Sequence, residues 1–503
     1  MIIALTGSTG SMGKETLKSL SELNETVRIL IRDTKKNRKY GKKSSKLFNG
    51  RLEIFYGDIR NYDDCVKFTK NADYLLHLAA VIPPKADHDE ENTIATNYNG
   101  TKNLADAVIA NGNTTKFIHI STVAVYGNRD EKHPYGRVGD PLLVSMFDVY
   151  GTSKLHGERY LLDSGLKNWV VLRQTGILYD NLLMNNIGDG LMFHTPWNVP
   201  IEWVTAKDSG ILMKNIVKKD MAGECPTFWK HVYNIGGGEK CRTTGYETFD
   251  AGFKLIGGSV KKFFEPQWDA YQNFHCFWFS DSDILEDMFH FRTQGCDEFW
   301  NWFASRHRIY EVGRILPSSW LRAIVIKPLL KNNNAPMYWK NNGLIARTYA
   351  IWGKKEISNK WENFDLLLER KNYQEIKKWK KEYDLDHGYD ETKPDNELDI
   401  NDMRQAASFR GGECLSETMV RGDLYTKIKW RCHDGHEFAS SPYTILKAGH
   451  WCPECSMPKK KWQFDRLAKT NPFFAQIWYD THDKDEEVTY EITENGPSME
   501  KKQ

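Results

Sequence analysis

The sequence predicts an α/β protein: a doubly wound parallel sheet with a smaller lobe, then a helical connector and a small cysteine-bearing module. Three observations carry that expectation. Short apolar runs alternate with amphipathic stretches from residue 1 to about 180. A glycine-rich turn follows the first run at once, and four of the nine cysteines crowd between 414 and 455.

The runs Ile2–Thr6, Val27–Ile31, Leu52–Tyr56, Tyr74–Leu78, Phe117–Ser121 and Val170–Arg173 read as strands. Strands separated by helices pair in parallel, and such a sheet takes its ligand at the strand carboxyl ends. The first turn reads Thr6-Gly7-Ser8-Thr9-Gly10-Ser11-Met12-Gly13 and opens a helix over Lys14–Leu23. Gly7, Gly10 and Gly13 permit a tight turn and close approach of a pyrophosphate, which then sits on the positive helix N-terminus. Thr9, Ser11 and Met12 complete that cradle. A turn so placed predicts a Rossmann-type dinucleotide site.

Tyr150-Gly-Thr-Ser-Lys154 places a phenol and an ammonium at i, i+4, one turn apart on one helix face. The phenol can exchange a proton with a reacting oxygen, and a neighbouring ammonium is expected to lower its pKa.

Further motifs stand in order around this pair. They are Gly57-Asp58-Ile59, His77-Leu78-Ala79-Ala80, Asn97-Tyr-Asn-Gly100-Thr101, Ser121-Thr-Val-Ala-Val-Tyr126-Gly127, Leu172-Arg173 and Tyr233-Asn-Ile-Gly236. With the glycine turn and Tyr150…Lys154, they make residues 1–310 resemble the extended short-chain dehydrogenase/reductase superfamily, the NAD(P)-dependent epimerase/dehydratase-like group. The resemblance implies that Asp58 accepts from the adenine amino group and Ile59 flanks the ring. Leu78, Ala79, Ala80 and Asn97 would line the cofactor. It makes Tyr150 the acid/base and Lys154 the residue that holds the nicotinamide ribose. Thr122 becomes the hydroxyl partner on the substrate oxygen, with Ser121 as the alternative. Members often dimerise through the helices that begin here near Asn99 and Tyr150, so a homodimer is expected.

The second strand ends in Arg32-Asp33, with Lys35, Lys36 and Arg38 following. Arg32 suits a ribose 2′-phosphate, as in the plant flavonoid-reductase branch that the segment resembles; NADP is therefore expected, and Asp33 keeps NAD as the alternative. Where the family's sugar 4,6-dehydratases carry Asp-Glu, this chain has Val123 and Ala124, which transfer no protons. Gly176 stands near the place where nucleotide-sugar members have Asn. The segments Leu191–Trp197, Trp203 and Phe274–Phe279, within a substrate lobe expected at 175–310, are rich in rings. Rings lining a pocket would suit an apolar or ring-bearing carbonyl. His194 among them reads as a packed histidine. The expected function is NADP-dependent carbonyl/alcohol interconversion. A nucleotide-sugar epimerase and a cofactor-binding regulatory protein working through its C-terminal module are the alternatives.

Residues 311–403 read as the helical connector, with Phe364–Arg370 and Tyr373–Tyr383 at helical spacing. Asn332–Pro336 reads as a linker and Asp384–Asp402 as an exposed acidic connection. Residues 404–480 hold Cys414, Trp430-Arg-Cys432, Gly435-His436 and His450-Trp-Cys452-Pro-Glu-Cys455. Cys414, Cys432, Cys452 and Cys455 make a four-thiolate set for structural Zn²⁺, with His436 the first substitute and His433 and His450 the others. The stretch resembles treble-clef/zinc-ribbon modules. Residues 481–503 read as a flexible polar tail.

The chain has 503 residues, 40% of them apolar and 27% charged, with a net charge of +2. That balance gives no whole-chain case for nucleic acid, and Lys459–Lys461 beside Trp462 is too small a basic patch to make one. No apolar run reaches the roughly 18 residues of a membrane span. A cytoplasmic protein with a small-molecule substrate is expected.

Overall fold

The computed structural model describes residues 1–127, 129, 132–144, 148–183, 189–270, 277–344, 377–456, 461–479, 482–493 and 496–501. The first strands are β1 (Ile2–Thr6), β2 (Thr26–Ile31), β3 (Leu52–Tyr56), β4 (Tyr74–His77) and β5 (Lys116–Thr122). A short β6 (Tyr135–Gly136) precedes β7 (Trp169–Gln174), β8 (Gly176–Leu178), β9 (Pro200–Thr205) and β10 (His231–Ile235). The main sheet has seven strands in the order β10-β7-β5-β4-β1-β2-β3, and each of its pairings is parallel. Strand order reverses between β1 and β4, so the crevice at their carboxyl ends is the topological switch point. Apolar side chains from both sheet faces fill two large clusters, one around Ile3, Ile29 and Leu172, the other around Leu75, Phe117 and Val171. Burial on both faces is why these strands read as continuous apolar runs.

The smaller lobe joins β8 and β9 to β11 (Arg242–Thr244). A second small pairing joins β12 (Trp278–Phe279) to β6. Beyond it, β13 (Glu413–Cys414), β14 (Ile428–Arg431) and β15 (Glu437–Ser440) form an antiparallel sheet behind the helix Ile400–Phe409.

This C-terminal sheet is not a separate bead. Trp430, Tyr443, Ile445 and Leu446 share one apolar cluster with Leu161, Trp169, Val171 and Val232 of the dinucleotide-type domain. Tyr443 Oη accepts the backbone N–H of Val232 at 2.8 Å, and Tyr425 Oη donates to the carbonyl of Lys230 at 3.0 Å. The first contact falls on β10, the outermost strand of the sheet, and the second on the residue just before it.

The connector differs from its sequence reading. Asn332–Ala335 packs on the lobe: the Asn334 carbonyl meets His194 Nε2 at 2.6 Å, and Ala335 is buried against Gly190. Asp384–Asp402 is likewise pinned down, because Leu385, His387 and Leu398 are buried within it. His387 bonds Asp140 at 3.0 Å and Glu391 at 2.8 Å, and Arg137 grips Glu391 at 2.7 Å. Alternating acids, invisible as contacts in a linear reading, are partners for cations far up the chain. Phe364–Arg370 and residues 373–376 of the stretch Tyr373–Tyr383 lie outside the described residues, as do Phe274–Cys276 and Lys459–Lys460. The expected tail instead contains β17 (Val488–Thr493) and β18 (Gly496–Lys501), a hairpin that pairs with β16 (Lys461–Trp462). The alternation in Val-Thr-Tyr-Glu-Ile-Thr is a strand pattern. Among the described residues no helix is long and apolar enough to cross a membrane.

Candidate functional site

The glycine turn lies in the switch-point crevice. Gly7 has φ +77°, and a Cβ on it would stand 2.6 Å from the backbone nitrogen of Ala79 after β4. A Cβ on Gly13 would stand 2.0 Å from the Gly7 carbonyl. Both positions therefore require glycine, and Gly7 sets the backbone of Leu78 and Ala79 against the turn. Thr9, Gly10 and Ser11 are exposed at the start of the helix Ser11–Leu20, while Met12 is buried beneath it. Thr6 Oγ1 accepts from the Ala79 N–H at 3.2 Å and ties β1 to β4. The cradle fits a pyrophosphate: exposed backbone at a helix N-terminus with no side chain in the way.

At the end of β2, Arg32 is exposed and Asp33 is held by Arg38 through two bonds of 2.5 and 2.6 Å. At the end of β3, burial raises the Asp58 pKa, but the Arg60 guanidinium at 2.7 Å outweighs it and keeps the carboxyl below its ordinary value. Arg60 is a partner of Asp58 that the motif reading missed. Ile59 is buried against Gly100. Asn97 holds the loop after β4 by accepting from the Val81 N–H at 2.8 Å and donating to its carbonyl at 2.9 Å. It also donates to Ser153 at 3.0 Å, joining that loop to the helix Val149–Asp163.

That helix starts at Asp148, whose carboxylate caps it by accepting from the Gly151 N–H at 2.7 Å. Burial pushes the Asp148 carboxyl up to about 6. Tyr150 and Thr122 meet at the carboxyl end of β5. Burial pushes the phenol up to about 12, a hydrogen bond with the Thr122 hydroxyl opposes that shift, and the Asp148 charge adds to it. Lys154 Nζ donates to the Ile120 carbonyl at 2.6 Å, and burial, partly offset by Glu158, pulls its pKa down to about 7. Ser121, the alternative to Thr122, points away: its hydroxyl donates to Glu158 at 2.6 Å. Successive strand residues face opposite sides, so only one of the two can reach Tyr150.

Glu158, one turn past Lys154, centres a sealed network that the motif reading did not single out. Its carboxylate accepts from Arg173 at 2.6 Å, Ser121 at 2.6 Å and His450 at 3.0 Å. Burial alone would raise its pKa, yet Arg173 and His450 hold it well below the carboxylate range. Arg173 also donates to the Ala448 carbonyl at 2.7 Å. On the same helix, Arg159 donates to the Trp451 carbonyl at 2.7 Å and His156 meets the Ser456 carbonyl at 2.9 Å. The C-terminal module thus covers one side of the helix that carries Tyr150 and Lys154. The spacing Lys154-x-x-x-Glu158 was the available signal.

In the module, Cys432, Cys452 and Cys455 come together with His436, their ligand atoms all within 4.8 Å of one another. His436 Nδ1 lies 3.4 Å from Cys432 Sγ, 3.7 Å from Cys452 Sγ and 3.4 Å from Cys455 Sγ. Cys432 and Cys455 Sγ are 3.7 Å apart. A tetrahedral ion with ordinary zinc bond lengths requires about 3.8 Å between sulfurs and about 3.6 Å between sulfur and nitrogen. The donor set fits. Cys414 is not in it, which corrects the four-thiolate expectation. It sits opposite Trp430 in the β13–β14 pairing and packs into the apolar cluster that Trp430 anchors. Burial accordingly raises its thiol pKa. His450 is taken by Glu158 and His433 lies against Asp434.

Among the described residues, the rings of the aromatic segments pack on one another. Phe193 and Trp197 are buried with Phe263, Phe264 and Trp268, and Trp197 donates to the Pro266 carbonyl at 3.0 Å. Trp203 covers Gly176 and donates to Thr243 and Thr248, each at 3.1 Å. Phe277 and Phe279 pack with Tyr126.

The seven-stranded parallel sheet and the glycine turn at its switch point define the class: a Rossmann-like α/β dinucleotide-type fold. Residues 3–175 match the model of the NAD dependent epimerase/dehydratase family. A UDP-glucose 4-epimerase of Rickettsia prowazekii is 34% identical over 131 residues, which is 25% of this chain and 37% of that one. An uncharacterized membrane protein of Methanocaldococcus jannaschii is 29% identical over 167 residues, 33% of this chain and 43% of that one. The chain spans less than half the length of these curated relatives. Among solved structures, the dTDP-glucose 4,6-dehydratase of Bacillus anthracis in complex with NAD superimposes over 62% of this chain and 98% of that one. Its identity is 18% and its TM-score 0.48.

Proposed function

We propose that this chain is an NAD(P)-dependent oxidoreductase that interconverts a carbonyl and an alcohol. The observation that carries the reading is the nearness of Thr122 to Tyr150 at the same carboxyl edge of the sheet that bears the glycine turn. A bound nicotinamide supplies or accepts the hydride. Thr122 and Tyr150 would bracket the substrate oxygen, the phenol giving or taking its proton while the threonine orients it. Gly7, Thr9, Gly10, Ser11, Met12 and Gly13 would hold the pyrophosphate. Asp58, Ile59, Leu78, Ala79, Ala80 and Asn97 would position the adenosine and nicotinamide halves. Lys154 would reach the ribose from the same helix as Tyr150.

NADP is the preferred cofactor, because Arg38 neutralises Asp33 and leaves Arg32 to meet a 2′-phosphate. Cys432, His436, Cys452 and Cys455 would hold Zn²⁺ as a structural ion, since four protein ligands leave no open position. A homodimer through the helices near Asn99 and Tyr150 would have to form around the module already seated on His156 and Arg159.

A second reading is favoured by the relatives: a nucleotide-sugar epimerase, whose cycle uses the same oxidation and then returns the hydride. Purified protein assayed with NADPH or NADH against carbonyl compounds, and separately with UDP-sugars, tests both. Substrate-dependent NADPH consumption lost in Tyr150→Phe supports the first reading. UDP-sugar interconversion without net cofactor consumption selects the second. Tight NAD(P)H binding with no turnover at all rejects both in favour of a cofactor-binding regulatory protein.

A further inference from the structure

The segment Arg308–Arg314 is a 3-10 helix, in which residues three apart eclipse one another. Its three faces are chemically distinct. Tyr310 and Gly313 turn inward, Tyr310 packing near Phe303 and Gly313 against Ile256. Arg308, Glu311 and Arg314 make an exposed charged stripe. Ile309, Val312 and Ile315 make the third face, and they are 77%, 54% and 82% exposed. The chain then continues through Leu316 into short helical turns where Trp320 and Ile324, spaced i, i+4, are also exposed, as is Trp302 just upstream. Leu321, Val325 and Ile326 on the opposite side are packed into the lobe. The segment is therefore a ridge anchored by one apolar face and presenting another to solvent.

So many exposed large apolar side chains within one short segment mark an interaction surface. Its charge indicates the partner. Between Trp302 and Lys331 the sequence has Glu311 as its one acid, against Arg306, Arg308, Arg314, Arg322, Lys327 and Lys331. Arg322 is paired with Glu265, Arg306 with Asp180 at 3.2 Å and Arg308 with Glu311 at 3.7 Å, yet Arg306, Arg308, Arg314 and Lys327 all remain exposed around the apolar stripe. A second copy of the chain would bring like charges together, because a two-fold contact sets the same patch against itself. Bulky aliphatic side chains, exposed tryptophans and a cationic rim suit the boundary between lipid headgroups and acyl chains.

We propose that the ridge from Trp302 to Ile324 docks this protein onto an anionic lipid surface, lying on the bilayer without crossing it. The apolar stripe enters the headgroup boundary while Arg306, Arg308, Arg314 and Lys327 meet lipid phosphates. This surface is separate from the Thr122–Tyr150 site, so binding does not depend on the activity proposed above.

Flotation of the full chain with phosphatidylcholine vesicles, and with mixed phosphatidylcholine/phosphatidylserine vesicles, tests the proposal. Association is expected with the mixed vesicles and is weakened by salt. Ile309→Ser with Ile315→Ser should lower partitioning about tenfold or more. Arg308→Gln and Arg314→Gln should each lower it about fivefold. These side chains are exposed, so unchanged thermal unfolding will show that the variants fold. Failure of the wild-type chain to float with anionic vesicles overturns the proposal. So does a dimer in sedimentation equilibrium that Ile315→Ser dissolves, because the ridge is then a self-contact.

Discussion

The carboxylate of Glu158 accepts the Arg173 guanidinium at 2.6 Å with both side chains sealed from solvent. His450 of the C-terminal module completes the pair from outside the dinucleotide-type domain. Removing one member of a buried pair strands the other charge, at a cost of about 3–5 kcal/mol. Glu158→Ala is therefore expected to lose that much stability by urea unfolding, and Glu158→Gln somewhat less. The pH dependence has a definite sign. A carboxyl held low in the fold stabilises it above the ordinary glutamate pKa of about 4.3 and loses that contribution as pH falls further. The difference between wild type and Glu158→Gln should shrink only below that pH; a constant difference down to acid unfolding would contradict the assignment.

Lys154 has the opposite linkage. Its pKa is about 7 in the fold against 10.5 for the free side chain. Between those values the unfolded chain binds the extra proton, so stability rises with pH across that window, by about 1.4 kcal/mol per unit at most. The free-energy difference between Lys154→Met and wild type should narrow or reverse accordingly between pH 7 and 10. A difference that does not vary with pH would show that the ammonium is solvated in the native protein.

Tyr150→Phe should lower turnover by about 10²–10⁴-fold while NADPH affinity, read by fluorescence, changes little. Thr122→Ala should also lower kcat, whereas Thr122→Ser, which keeps the hydroxyl, should retain most of it. Ser121→Ala should act on stability through Glu158 and leave kcat/KM near wild type. If Ser121→Ala and Thr122→Ala exchange these effects, the assignment to Thr122 is wrong.

Metal content separates the two candidate ligand sets. Cys414→Ser should keep one equivalent of zinc by mass spectrometric metal analysis, while Cys455→Ser and His436→Ala should lose it or bind it far more weakly. Zinc lost on Cys414→Ser and kept on His436→Ala would restore the four-thiolate set.

Arg32→Ala should weaken NADPH binding about tenfold and leave NADH nearly unaffected, since a charge-assisted contact to the 2′-phosphate is all that it removes. Equal loss for both cofactors would place Arg32 on a shared part of the dinucleotide.

The parallel sheet and the glycine turn were legible because both depend on local order: apolar runs buried on two faces, and glycines where Ala79 and the Gly7 carbonyl leave no room for a Cβ. Strand alternation likewise separates Thr122 from Ser121, whose hydroxyl turns to Glu158. What the sequence could not disclose were contacts between distant segments. Lys154 bonds a strand carbonyl; Cys414 answers to Trp430 across a sheet; the acids of Asp384–Asp402 find Arg137 some 250 residues earlier, a separation of 254 for Glu391. Rings in Leu191–Trp197 read equally well as pocket or core, and only their mutual packing decides.

The two tyrosines that meet β10 have a wider bearing. The outermost strand of an open sheet is a template on which another chain can add. Here Tyr443 takes the N–H of Val232 on that strand and Tyr425 binds the carbonyl of Lys230 just before it, so the module occupies part of that template. A chain cut short before residue 404 would keep its glycine turn and its Tyr150 but bare that strand beside Trp169 and Val232. Its fate would be polymerisation through the open border, and the module thereby doubles as a guard against self-templated aggregation.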